Sequence, residues 1–394
     1  MLPGGLCDPW VEITQRSTRL SQNEALQKYL NLRKTRLMAR PTSRYLYSMV
    51  HETPPCRLNL SGSTPPFPAS AEFFADMNIP FAYEEIDQVS TVIKELLARH
   101  VNGAADEFRF APGSSSVYTQ ALATVSKTGD RVLVESPAYD PFPTCAEFLG
   151  LKVEFFNRTF DIERDFAAVK KASKRCQILV LSNPNCPTGR LSTRDELLSF
   201  SRLFKWVIID EVFLPLFSDG KMSILSGGIP RNVILIGSLS KSIGLSAARF
   251  GWLRAEPKVA MNFERVGYNF HIEMPSFSLA AARLALQNWE QLIETNLRAL
   301  EKPRAIFREF GMSRAGYSQH NLFSHDLQSG HFATLRIPKK FRSGDAFAER
   351  ILRETGVWLR PARLFRLPTQ VRLHFFMSEI EAEQLKCEFE RYYT

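Results

Sequence analysis

Lys241 closes a Ser238-Leu239-Ser240-Lys241 run that follows the apolar, β-branched stretch 233–237. A lysine amine can form a Schiff base with an aldehyde. Arg249 lies further along and offers a planar fork for phosphate, with Ser238 and Ser240 adding hydroxyl donors. Other strand-like stretches end in groups of the same kind. The segment 108–116 ends in Gly113-Ser114-Ser115-Ser116, where the free N–H groups of a helix start can bind phosphate. After 131–135 comes Ser136-Pro137-Ala138-Tyr139, with an aromatic able to stack on a planar ring. After 177–182 comes Asn183-Pro184-Asn185-Cys186-Pro187-Thr188-Gly189, a rigid turn. After 206–209 come Asp210 and Glu211, carboxylates placed to pair with a protonated ring nitrogen. Each has a plainer reading alone: a solvated lysine, an ordinary helix start, a packing tyrosine, a turn, a helix cap. In this order they fit one ligand, an anionic, planar, electron-withdrawing cofactor.

The elements that must carry these groups are legible as an alternation. Strands are predicted over 131–136, 152–156, 177–183, 206–211, 233–238 and 249–254, and helices over 115–127, 165–174 and 193–204. Several strand stretches lack in/out alternation, as strands covered on both faces do. Alternating β and α at this spacing argues for an open α/β sheet, whose ligands lie beyond the carboxyl ends of the strands. Upstream, 22–40 reads as a helix capped by Ser21 and Glu24 and stopped by Pro41, and the Pro-, Ser- and Gly-rich 51–70 reads as a loop. Downstream, a long helix is predicted over 277–310, strands over 331–338, 357–365 and 371–376, and a closing helix over 379–393.

Composition bounds the rest. The 394 residues are 44% hydrophobic and 23% charged, which excludes a disordered, collagen-like or coiled-coil chain. No stretch approaches a membrane span and the first residues show no signal-peptide pattern, so a cytoplasmic protein is expected. The six cysteines (Cys7, Cys56, Cys145, Cys176, Cys186, Cys387) form no CxxC pair, so neither a disulfide scaffold nor a metal site is expected. The net charge of +9 is spread out, and its densest run, 33–44, reads as a solvated helix face. With about 56 residues ahead of the core and no helix-turn-helix pattern, neither a nucleic-acid nor a membrane partner is expected.

The set GSSS, SPAY, NPNCPTG, DEVF, SLSK and RFGW resembles the class I/II aminotransferases, pyridoxal 5′-phosphate enzymes of fold type I. Its spelling is most similar to the histidinol-phosphate aminotransferase and threonine-phosphate decarboxylase branch. The motifs cover about 110–255, with a weaker match to the C-terminus. The resemblance implies a large domain with a mostly parallel, seven-stranded type of sheet between helices, over 57–270. The N-terminal segment 1–56 would join 271–394 in a smaller α/β domain. It implies Lys241 as the Schiff-base lysine and proton carrier, Asp210 as partner of the pyridinium nitrogen and Tyr139 as the ring stacked on the cofactor. Gly113, Ser114, Ser115, Ser238, Ser240 and Arg249 would hold the phosphate, and Asn183, Cys186 and Phe213 would border the ring. Arg372 matches the arginine that binds the substrate α-carboxylate, Gly62 falls where the chain passes the substrate, and Tyr83 is placed to reach a neighbouring subunit's phosphate. A homodimer with shared active sites, acting on small amino acids and keto acids, follows from the same resemblance. His51, His271, His374 and Phe67 are further candidates for the pocket wall.

Two positions depart from the family pattern. The motif is normally NPxNPTG, and its second asparagine donates to the cofactor's 3′-oxygen; this chain has Cys186 there. A tyrosine usually stands three residues after the aspartate; this chain has Phe213, which also occurs in the decarboxylase branch. Cysteine is a weak donor and phenylalanine none, so the Schiff-base pKa is expected to rise. Transamination is the leading expectation. Decarboxylation, elimination or cyclisation of an amino acid is the alternative, because Lys241 and Asp210 serve each of them equally.

Overall fold

The computed structural model describes residues 41–75, 77–312 and 322–393. The helix predicted over 22–40, with most of the basic run 33–44, lies outside them. The described strands are β1 (Leu58–Asn59), β2 (Phe108–Pro112), β3 (Arg131–Ser136), β4 (Lys152–Asn157), β5 (Ile178–Ser182), β6 (Trp206–Asp210), β7 (Val233–Ser238), β8 (Phe250–Arg254), β9 (Phe332–Arg336), β10 (Val357–Trp358), β11 (Arg360–Pro361) and β12 (Gln370–His374). The helices are α1 (Arg44–His51), α2 (Tyr83–Val101), α3 (Ser114–Val125), α4 (Pro141–Phe148), α5 (Ile162–Ser173), α6 (Arg194–Ser201), α7 (Leu239–Ser242), α8 (Pro257–Gly267), α9 (Ser276–Gln287), α10 (Trp289–Met312), α11 (Gly344–Thr355) and α12 (Glu379–Glu390).

Seven strands form one sheet in the order β2-β8-β7-β6-β5-β3-β4. All pairs are parallel except those of β8, which runs against β2 and β7. This is the α/β, fold type I arrangement expected from the sequence. Every residue of β5, β7 and β8 is buried, which explains the missing alternation. A second sheet, β11-β12-β9, is antiparallel, and β1 pairs with β10 in parallel. The stretch 51–70 is therefore not only loop: it contributes β1.

Four sequence-based expectations change. The helix over 277–310 is two helices, because Asn288 leaves helical geometry (ψ 24°) and its side chain bonds the Leu284 carbonyl at 2.9 Å. The strand over 357–365 is two short strands followed by a 3-10 turn at Ala362–Phe365. No element is predicted over Tyr83–Val101, yet α2 buries Ile86, Val89, Ile93, Leu96 and Leu97 in a helical stripe. Nor is one predicted over Arg44–His51, where Ser43 caps α1 by accepting from the Leu46 N–H. Among the described residues no helix is long and apolar enough to cross a membrane.

The carboxyl ends of β3, β4 and β5 are tied by a buried ionic cluster. Arg158, just after β4, lies 3.7 Å from Glu135, 3.7 Å from Asp165 and 3.0 Å from Glu196. Arg190 lies 3.4 Å from Asp165 and 3.0 Å from Glu196. None of these five side chains is more than 7% exposed. Glu135 accepts from the Ser182 N–H and hydroxyl at 2.7 Å, and the Ser182 oxygen accepts from the Cys186 N–H at 2.9 Å. The cluster thereby sets the start of the 183–189 turn. Removing one partner of a buried ion pair costs about 3–5 kcal/mol, because the other charges stay buried and uncompensated. Arg158→Met is therefore expected to lose that much stability, read as a lower urea midpoint; an unchanged midpoint would contradict the account.

Candidate active site

The strand ends converge on one cavity, whose walls include Tyr45, Ser63, Ser114, Tyr139, Ser182, Cys186, Asp210, Phe213 and Lys241. Asp210 ends β6 and Lys241 rides on α7, directly after β7. Ser114 begins α3, whose first N–H groups carry the partial positive charge of a helix start.

Two glycines shape this end of the site. A side chain at Gly251 would meet the Gly113 carbonyl carbon and the Ser114 nitrogen at 2.6 Å, so β8 passes close under the α3 start only because it has none. Gly244 has φ +78°, and a Cβ there would collide with the Pro65 carbonyl. That close approach lays segment 63–67 over the lysine. Lys241 Nζ donates to Thr64 Oγ1 at 2.7 Å and Ser63 Oγ at 3.4 Å.

Burial sets the electrostatics. Desolvation, with Glu135 adding to it, pushes Asp210 up to about 7 against the opposing Val212 N–H and Lys241. Desolvation brings Lys241 down to about 8, and Arg372 acts in the same direction. Burial also pushes the Cys186 thiol up to about 11, so it is a neutral S–H at ordinary pH. Tyr139 is held well above a tyrosine's usual value by burial.

Arg372 is 0% exposed. Its Nη2 donates to the Ser61 carbonyl at 2.8 Å, the Gly62 carbonyl at 3.2 Å and Tyr45 Oη at 3.0 Å, while Nη1 faces Cys186 Sγ at 3.7 Å. Phe365 lies under the guanidinium at 4.9 Å. No carboxylate pairs with it among the described residues. Gly62 thus meets Arg372 through its carbonyl.

Several predicted residues stand elsewhere. The Asn183 side chain is spent on the backbone of Ser192, accepting its N–H at 2.7 Å, and does not line the cavity. The Ser238 hydroxyl is engaged inside the chain, donating to the Phe250 carbonyl and accepting from the Ser240 N–H, both at 3.1 Å. His51 is exposed at the end of α1, and His271 bonds Gln120 beside a different cavity. His374 is held by the Asn59 carbonyl and burial lowers it to about 4. Phe67 packs on Phe73 and Phe74. Tyr83 opens α2 and is exposed. In the other direction, sequence reasoning missed Tyr45, Ser63, Thr64 and Ser182. For Ser63 and Thr64 the only signal was the hydroxyl-rich run 61–64, which resembles any polar turn, and Tyr45 and Ser182 lie outside it.

The sequence model of the family described as aminotransferase class I and II matches residues 83–386. The chain belongs to this family. Its members are pyridoxal 5′-phosphate enzymes, and the present chain is similar to several of them. An aromatic amino acid aminotransferase of Mycolicibacterium vanbaalenii is 29% identical over 231 residues, covering 56% of this chain and 64% of that protein. A histidinol-phosphate aminotransferase of Caldicellulosiruptor saccharolyticus is 24% identical over 307 residues, covering 75% of this chain and 80% of that protein. A solved pyridoxal-phosphate-dependent aminotransferase from Streptococcus suis shares the fold, with TM-score 0.74 at 19% identity over 90% of this chain and 99% of that one.

The residues present fit this cofactor. Ser240 Oγ, on α7, is buried with no hydrogen-bond partner among the described residues, and the first N–H groups of α3 are donors that a phosphate would find. Gly113 lets Arg249 pass where a Cβ would stand, bringing a guanidinium to the same corner. Asp210 can serve a ring nitrogen, and Tyr139 walls the same cavity. In the cofactor-free protein, reductive alkylation of Lys241 by a small aldehyde is expected to rise with pH through a midpoint near 8. The lowered pKa frees the amine below the usual lysine range; a midpoint near 10.5 would contradict the desolvated lysine.

Proposed function

We propose that this chain transfers the amino group of an α-amino acid to a keto acid, with the substrate carboxylate seated on Arg372 and the chemistry at Lys241. One observation carries the reading: a fully buried guanidinium with no anionic partner among the described residues, next to a cavity that holds a desolvated lysine. A buried cation of this kind calls for an anion, and a planar fork suits a carboxylate.

Pyridoxal 5′-phosphate, when bound, supplies a ring that takes up the electron pair left at the substrate Cα. The chain's own groups do the rest. The Ser114 and Ser115 amides at the start of α3, Ser240 and Arg249 hold the phosphate. Asp210, ionised once a cation faces it, keeps a proton on the ring nitrogen. Lys241 moves the proton at Cα, and its lowered pKa suits a base working near neutrality. Tyr139, Cys186 and Phe213 line the same cavity and would border the ring, with Cys186 and Phe213 standing in place of stronger donors.

The wall contributed by Tyr45, Leu46, Met49, Phe142, Val212 and Phe213 is apolar. This supports a substrate with an apolar, flat side chain, in keeping with the relative named for aromatic amino acids. The phosphorylated substrate of the other named relative would need cations that this wall lacks among the described residues.

The same reading holds that the chain is cytoplasmic, divides near 57 and 270, and acts as a homodimer. Exposed Phe81, Tyr83, Tyr268, Phe270 and Ile272 supply apolar surface for a second copy. Sedimentation is expected to give twice the chain mass, and a monomer would count against it.

The deciding experiment is an absorbance scan of cofactor-loaded protein titrated with amino acids in the absence of keto acid. Phenylalanine, tyrosine or tryptophan is expected to convert the cofactor stably to its amine form at concentrations at least about tenfold below those needed for aspartate or glutamate. Conversion that reverses as the amino acid is consumed would instead mean decarboxylation, elimination or cyclisation. A pH titration of the same spectrum is expected to show a raised Schiff-base pKa, given the weak donor at Cys186 and none at Phe213.

A further inference from the structure

We propose that Tyr45 is a second anchor for the substrate α-carboxylate, donating its phenolic hydrogen to the oxygen that Arg372 does not hold. The proposal rests on the carboxylate reading above and adds to it a residue from the opposite end of the chain. Tyr45 belongs to α1, is 2% exposed and walls the cavity. Its oxygen accepts from Arg372 Nη2 at 3.0 Å, which fixes the oxygen and leaves the hydrogen. Among the described residues no acceptor takes that hydrogen.

The donors on Arg372 are unevenly committed. Nη2 is spent on two backbone carbonyls and on Tyr45, Nη1 faces only the Cys186 thiol at 3.7 Å, and Nε has no partner among the described residues. A thiol is a weak hydrogen-bond partner, so Nη1 is available to an anion. A carboxylate bound there has a second oxygen that needs a donor. Tyr45 is bonded to the same guanidinium and borders the same space.

The phenol is also held in place. Its ring meets Tyr139 edge-on at 5.5 Å and Phe365 at 4.9 Å. Asp140 accepts from the Tyr45 N–H at 3.2 Å and from Ser43 Oγ at 2.7 Å, so the start of α1 is clamped to α4. Arg360, paired across the strands with Arg372, donates to Ser48 on the next turn of α1 at 2.8 Å. Preorganisation of this kind is what a binding donor needs.

The test uses the cofactor-loaded protein and two amine-free probes, 3-phenylpropanoate and 3-phenylpropan-1-ol, with binding followed by the cofactor's absorbance. Wild type is expected to prefer the carboxylate. Tyr45→Phe is expected to weaken 3-phenylpropanoate about tenfold, the usual loss for a hydrogen bond to a charged group. Binding of the alcohol and cofactor affinity are expected to stay at wild-type values, Tm to fall modestly because Arg372 loses one acceptor, and the amino-acid KM to rise with little change in kcat. Unchanged carboxylate binding, an equal loss for both probes, or a wild type that does not favour the carboxylate would each overturn the proposal. Because 3-phenylpropanoate is not a substrate for amino transfer, a wild type that converts no amino acid would refute the proposed function while this binding result still stands.

Discussion

A guanidinium without exposed surface and without a carboxylate partner among the described residues is the most demanding feature of the molecule. Burying an isolated charge costs several kcal/mol even after local relaxation. Arg372 offsets that cost with the Ser61 and Gly62 carbonyls, the Tyr45 oxygen and the faces of aromatic rings. Those partners come from parts of the chain far apart in sequence, so β12, segment 61–62, α1 and the 183–189 turn must all meet at one place. The parallel pairing of β1 with β10 brings the early segment there. What remains unsatisfied on Arg372 is room for one more anion.

Desolvation works in the same sense on Asp210 and Lys241. It drives Asp210 towards the neutral acid and Lys241 towards the neutral amine. Opposite a cationic ring the aspartate would regain its charge, and toward an aldehyde a lysine with this lowered pKa would be a nucleophile near neutrality. Glu135 contributes from behind, fully buried, raising Asp210 while holding Ser182 and, through it, the Cys186 amide. The ionic cluster around Arg158 is therefore tied to the shape of the turn as well as to stability.

The departures at Cys186 and Phe213 fit a cavity that is apolar along one wall. Phe213 packs edge-on against Phe332 at 4.9 Å and tilts against His331 at 5.5 Å, so its ring is part of the core as much as of the site. His331 is itself held well below the usual histidine range by burial and adds no charge.

The sequence by itself determined the sheet and the placing of Lys241, Asp210, Tyr139 and Ser114 beyond its strand ends, where they wall one cavity, because these are consequences of local pattern. Runs of β-branched residues make buried strands, and the residue that ends such a strand emerges at the ligand face. Arg372 was legible only through the family resemblance, and its surroundings were not legible at all. Tyr45 lies 327 positions away from it, and no periodicity records which side chain will cross that interval. Thr64 reaches Lys241 only because Gly244 leaves room for segment 63–67. The same limit explains Asn183, whose place in the motif says nothing about which way its amide turns once Ser192 competes for it. Tertiary structure decided these contacts because each is set by how buried polar groups find partners across the whole chain, a condition that local sequence does not express.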